Sequence, residues 1–270
     1  MSGDSHEDSL NLLKACSLNC KQLAVFVGQS VRPILDRELN ALPYRRICHA
    51  LFLRVQAWLN SLSKLDEPGD FQAASAAARG IFETAIDMVL IQHQEGQSVI
   101  KLMAWERSCK LKYAERHSAH SNELHVIEFV RDNKRAILSE RESTWGKNKN
   151  GKPIAPERWT GRNLEQDAKA ADAYVPKASF VRFYSESYVP ACWYVHGSGV
   201  VGILEVPAAF FPTLSALALH KVCVFGLVCT EYALRLFNVF DEIGQSRFAR
   251  LQSEMGTLAL AVSSRGLAKP

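Results

Sequence analysis

The sequence contains no phosphate-cradling glycine loop, no dinucleotide glycine fingerprint, no Gly-x-Ser-x-Gly elbow and no paired Cys-x-x-Cys. Nothing in it therefore supports P-loop hydrolysis, Rossmann-type redox chemistry, an α/β-hydrolase nucleophile or a zinc ribbon. Charge of one sign is scarce as well: 32 Lys and Arg against 28 Asp and Glu leave a formal net charge of +4, too mild to imply nucleic acid by bulk electrostatics. Residues 1–9 are polar and partly acidic, without the basic start and apolar run of a secretory leader. Seven cysteines, an odd number spread through apolar segments, read as reduced and buried thiols, and the expected location is cytoplasmic. The most apolar stretch, residues 216–240, is interrupted by His220, Lys221, Glu231 and Arg235, so it reads as a core helix and not as a membrane span.

Strand-like alternation and internal repeats are missing too, and what remains is helical periodicity. Apolar residues make up 47% of the chain and charged residues 22%, enough to build a sizeable core. The expected class is mainly α, a multi-helix bundle with a long polar connection near the middle. Leu13, Cys16, Cys20, Leu23 and Val27 place a first helix over 10–28, after a disordered tail at 1–9. Pro33 opens a short helix to 42, and Pro43 either starts a helix to 62 or kinks a continuous one. Asp70 is suited to cap an Ala-rich helix to about 92, and amphipathic helices follow over 99–116 and 121–142. A Lys, Asn and Gly cluster then forms a mobile basic linker, 146–156. It joins the halves 10–145 and 157–262 of a single helical domain. Helices are expected over 163–173, 176–195, 213–240 and 245–261, with a Gly-rich turn at 197–202.

Four groups of residues could carry chemistry. Arg79 and Glu83, four apart, share one helix face among apolar neighbours. They serve either as an ion pair fixing helix register or as an arginine holding an anionic ligand, oriented by its glutamate. The segment 182–199 collects Arg182, Tyr184, Ser187, Tyr188, His196 and Ser198 around Pro190, which must disturb its helix. His196 is either a general acid or base or a capping residue. His117, His120 and His125 sit in polar surroundings and lack the spacing of a metal-binding helix; no metal and no cofactor is expected. Lys147, Lys149, Lys152, Arg158 and Arg162, interleaved with Trp145 and Trp159, could neutralise and stack single-stranded RNA, or could simply solvate a loop.

The second half resembles a known pattern. Arg158-Trp-Thr-Gly-Arg162, then Leu164, Ala168, Tyr184, Ser187, Tyr188 and His196-Gly-Ser198, together with Arg79 and Glu83 upstream, are similar to a bacterial family catalogued as domain of unknown function 5677. The likeness covers roughly residues 45–240, with Thr160 where the family usually has Ser, and implies an α-helical fold but no particular activity. A more distant resemblance in architecture is to the HEPN helical proteins, many of them metal-independent ribonucleases of toxin and defence systems. Those place four to six residues between an Arg and a His. Here Arg45 to His49 and Arg116 to His120 each enclose only three.

The leading expectation is an intracellular helical binding or regulatory protein whose central pocket is lined by Arg79, Glu83, Trp159, Tyr184, Ser187, Tyr188, His196 and Ser198 and takes an unknown ligand. The first alternative is a metal-independent RNA endonuclease in which His196 activates the ribose hydroxyl and Arg182 or Arg79 stabilises the phosphate. The second is a structural subunit, self-associating through an exposed apolar helix face as a homo-oligomer.

Overall fold

The computed structural model describes residues 3–39, 43–65, 67–120, 122–175, 179–190, 192, 210–243 and 248–254. The regular elements of the described residues are all helical, with no strand; the one β-like contact among them is an isolated bridge between Lys147 and Pro153. The helices are α1 (Gly3–Phe26), α2 (Arg32–Arg37), α3 (Pro43–Leu62), α4 (Phe71–His93), α5 (Glu95–Ser118), α6 (Leu124–Trp145), α7 (Leu164–Tyr174), α8 (Phe180–Phe183) and α9 (Phe211–Leu236). Residues 248–254 form a further helical segment. Mainly α, built as a multi-helix bundle, is thus the class of the protein.

α9 is the axis of the bundle. It packs most extensively against α4, then against α1 and α3. Its sequence explains the position: a helix apolar on every side is stable only when covered on every side. Ala216, Val222, Cys229, Ala233 and Leu234 are fully covered. Gly226 lets α1 and α3 approach closely, since a Cβ there would lie 3.0 Å from Leu23 Cδ2 and 3.5 Å from Leu59 Cδ2. By length and composition α9 could also cross a bilayer, its most apolar window having a mean hydropathy of 1.6, yet 67% of that window is buried inside the fold. α4 supplies the facing surface through Ala74, Ala77, Ile81, Phe82, Ala85, Ile86 and Val89. α5 and α6 pair as an antiparallel hairpin at the side of the bundle, and only Ile137 of α6 is buried.

Two prolines are absorbed by the same device. α1 does not stop before Pro33; it widens into a π turn, Val27–Val31, and continues into α2, with the Arg32 N–H bonded to the Val27 carbonyl. α8 widens likewise into a second π turn, Tyr184–Tyr188, with the Val189 N–H bonded to the Tyr184 carbonyl just before Pro190. A proline ring crowds the carbonyl four residues back and offers no N–H, and a five-residue turn relieves both problems. Pro33 therefore does not open a separate helix running to 42.

Helix formation also extends further toward the start than periodicity predicts. α1 begins at Gly3, inside the stretch expected as a tail, and the Ser9 hydroxyl accepts a hydrogen bond from Thr213 Oγ1 at 3.1 Å, which ties the first turns to α9. Residues 146–154 are a compact turn and not an open connection. The Ile154 N–H donates to the Gly146 carbonyl and the Asn148 N–H to the Lys152 carbonyl, while Arg141 donates to the carbonyls of Pro153 and Ile154 at 3.0 and 3.1 Å. Beyond it, Asn163 and Gln166 form a reciprocal capping box that starts α7. Asp172 of α7 then accepts the Phe180 and Val181 N–H groups at 2.5 and 2.9 Å, filling orphan donors of the first turn of α8.

Candidate functional site

Two polar groupings converge on α4. The first is a clasp between α4 and the segment that leads into α7. Arg158 donates through Nη2 to Asp87 and through Nε to Asp167 Oδ2 at 2.6 Å. Trp159 Nε1 donates to Asp87 Oδ1 at 2.7 Å; Thr160 Oγ1 and Arg162 Nε donate to the two oxygens of Asp167, each at 2.8 Å. Asp167 is wholly buried and Trp159 nearly so. Gly161 makes the turn possible: its φ is +81°, and a Cβ would come within 3.1 Å of Trp145 Cδ1. Burial pushes the Asp87 carboxyl up to about 6, against the lowering effect of Arg158 and Trp159.

This geometry corrects two expectations. Arg158 is committed to two carboxylates and Trp159 to the core, so neither is presented to a nucleic-acid strand, and Trp159 does not line a ligand pocket with Arg79. Of the basic residues grouped with them, Lys147, Lys149 and Lys152 are exposed, and Arg162 is half-buried on Asp167. Asp87 and Asp167, the acids that make the clasp, were not singled out from sequence. A lone Asp in the run Ile86-Asp-Met-Val-Leu90 was the available signal, because an unpaired acid on a buried face is costly.

The second grouping is a cavity of about 250 Å³ between α4, the π turn at Tyr184–Tyr188 and the first half of α9. Its walls are aromatic and aliphatic: Phe71 and Phe82 from α4, Phe183 and Pro190 from the distorted helix, Leu214, Leu217 and Phe225 from α9. Phe82, Phe180, Phe183 and Phe225 form a packed aromatic cluster, with Phe82 and Phe225 centroids 4.9 Å apart and Phe183 edge-on to Phe225 at the same distance. Three charged side chains line the space: Arg79, Lys221 and Glu186.

The Arg79 and Glu83 pair is joined through Tyr188. The Tyr188 hydroxyl donates to Glu83 Oε1 at 2.7 Å, and the Arg79 guanidinium lies over the Tyr188 ring, 5.2 Å from its centroid. Burial and the neighbouring Glu83 carboxylate raise the Tyr188 phenol well above its ordinary value, so it remains a donor. Tyr184 stacks on Tyr188 at 5.5 Å, one turn back along the π segment. Cys192 is a half-buried thiol beside Arg79 and Tyr188, raised by burial and so held neutral. It and the exposed Cys109 depart from the expectation of uniformly buried thiols.

Lys221 is the residue that sequence reasoning passed over, as a mere interruption of an apolar run. Its Nζ lies 4.1 Å from the centroid of the Phe183 ring, and burial lowers its ammonium to about 8, against the raising effect of Glu186. The adjacent His220 is lowered to about 4, by burial first and by Lys221 second, so it is neutral.

The remaining expected site residues fall elsewhere. Arg182 is exposed and donates to Glu186 at 2.9 Å across the rim. Ser187 belongs to the π turn, but its side chain is not among those described. His196 and Ser198 lie outside the described residues. His117 and His125 both face Glu123, at 3.1 and 3.4 Å, and no group of three or more possible metal ligands occurs among the described residues.

Chemically, the cavity can enclose an apolar body and meet an anionic head with Arg79 and Lys221; the clasp, in which both oxygens of Asp167 accept from protein donors while Arg162 Nη2 stays buried without a hydrogen bond, holds α7 onto α4 and so supports one side of the site. Against known proteins, no curated protein and no solved structure matches the chain at a significant level. The pattern of one family, described as Family of unknown function (DUF5677), matches residues 45–203. That span contains Arg79, Glu83, Asp87, Arg158, Asp167 and Tyr188, while α9 and Lys221 lie beyond it. Because the match covers more than half of its length, the chain belongs to the Family of unknown function (DUF5677).

Proposed function

We propose that the protein is a binding protein for a small organic anion with an apolar, ring-sized body, held in the cavity between α4 and α9. The observation that carries this reading is the composition of the cavity: aromatic and aliphatic walls around about 250 Å³, with two cations, Arg79 and Lys221, and one rim carboxylate, Glu186. Pockets of that kind use apolar walls for affinity and a few placed polar groups for orientation. Arg79 is the anchoring group, since a planar guanidinium matches a carboxylate or phosphate fork and this one is already braced by the Tyr188 ring. Tyr188 in turn is fixed by Glu83, so the family's Arg and Glu serve as anchor and brace.

Titration calorimetry with 3-phenylpropanoate and its neutral amide tests the reading. The carboxylate should bind more tightly by roughly 10- to 150-fold, the equivalent of a charged hydrogen bond worth ~1.5–3 kcal/mol. Arg79→Gln should remove most of the difference, leaving the share that Lys221 supplies, and Ala78→Leu, on the cavity wall, should weaken both ligands. Equal binding of the acid and amide, or no binding of either, would overturn it.

A further inference from the structure

The Lys221 side chain is placed unlike the lysines that pair with carboxylates at the surface. It sits in an aromatic cavity, its Nζ faces the Phe183 ring at 4.1 Å, and no carboxylate of the described residues lies within 4.0 Å of it. By contrast Lys110, Lys134, Lys147 and Lys169 each hold a carboxylate at 2.7 or 2.8 Å on the surface. A lysine desolvated without a close counter-ion is the usual way a protein makes its amine nucleophilic near neutral pH.

We infer that Lys221 is an imine-forming amine that captures an aldehyde or a 2-oxo acid with an apolar body inside this cavity. The inference rests on the cavity being a binding site, and it names the substrate class of that site. Arg79 holds the carboxylate of the oxo acid, while the walls hold the apolar part against the amine. The neutral Nζ adds its lone pair to the carbonyl carbon, forming the C–N bond, and the carbonyl oxygen takes up the proton that nitrogen loses. The resulting hydroxyl then departs with the second nitrogen proton as water while the C=N bond forms. The net change is one carbonyl and one amine converted to one imine and one water, and no oxidant or reductant is consumed. Glu186, on the same cavity wall but more than 4.0 Å from Nζ and paired with Arg182, is able to relay those protons through a water.

Desolvation supports the assignment. With its ammonium lowered to about 8, Lys221 is neutral in about a tenth of molecules at pH 7, against under ~0.1% for an ordinary lysine near ~10.4. Burial sets this balance first; Glu186 then raises the ammonium and Arg182 lowers it, while the adjacent His220 is neutral and Arg79 lines the same cavity from the facing helix.

The experiment is reductive trapping on the full chain. Phenylpyruvate and sodium cyanoborohydride are added over a pH series, and modified lysines are located by peptide mass spectrometry. Lys221 should carry the dominant adduct, rising with a midpoint near 8. Exposed Lys147, Lys149 and Lys152 in the same digest serve as internal references. Lys221 labelled no more than those three would overturn the inference, and this comparison needs no variant. Lys221→Arg should lose the adduct while keeping the melting temperature; an equal adduct total in that variant also refutes it. Binding of 3-phenylpropanoate without trapping of phenylpyruvate would sink the imine and leave anion binding standing. Absence of both would sink the two together.

Discussion

Asp167→Asn removes a single charge from the clasp while preserving its shape, and the structure sets the size of the effect. The carboxylate is fully buried and accepts from Arg158 Nε at 2.6 Å and from Thr160 Oγ1 and Arg162 Nε at 2.8 Å. An asparagine keeps one acceptor oxygen but turns an amide donor toward one of the two guanidinium groups. Breaking a buried ion pair from one side costs ~3–5 kcal/mol. Asp87 still neutralises Arg158 from the other side, which argues for the low end, ~3 kcal/mol. For a chain of this size that corresponds to a fall of roughly 6–12 °C in melting temperature. Far-UV circular dichroism during heating reads it directly. The control is Glu106→Gln in the Lys110–Glu106 pair, whose side chains are 62% and 56% exposed and whose loss should cost less than ~0.5 kcal/mol. If Asp167→Asn melts within error of that control, the clasp is not the strut described above.

Two further outcomes follow from the same contacts. Burial raises the Asp87 carboxyl from 3.8 to about 6, so the folded state holds this proton more tightly than the unfolded chain does. Its contribution to stability is therefore fully present below about pH 4 and lost as pH rises through about 6; Asp87→Asn should flatten the stability profile across that window, and an unchanged slope in urea titrations would refute the assignment. Gly226→Leu should cost ~1–3 kcal/mol by forcing α9 away from Leu23 and Leu59, and a variant with unaltered melting would show that the three helices do not meet as closely as described.

Much of the helical layout was legible because helix signals are local. The period of Ile47, Leu51, Val55, Trp58 and Leu62, the proline at the start of α3 and the Asp66-to-Asp70 turn chemistry together place α3 and α4 close to their observed limits. Pro33 misled for the opposite reason: the widening of the turn before it keeps the helix going, and proline alone does not distinguish a break from a π turn. That Arg79 and Glu83 share one helix face was also readable, from their spacing of four. Their order in space, with Tyr188 between the arginine and the glutamate, was not.

The class of fold and most of the helices follow from local sequence alone, because backbone hydrogen bonding within a helix and the side-chain repeat depend on residues three to five apart. The fate of the charges follows from long-range packing. Arg158 lies among lysines and polar residues and looks solvated, yet its partners Asp87 and Asp167 stand 71 and 9 positions away and carry it inside. Lys221 looks like an interruption of a core helix, yet α4 and the π turn leave an opening beside it and cover the rest. A side chain's charge is priced by the water and counter-ions around it, and those are set by which distant segments come to lie against it.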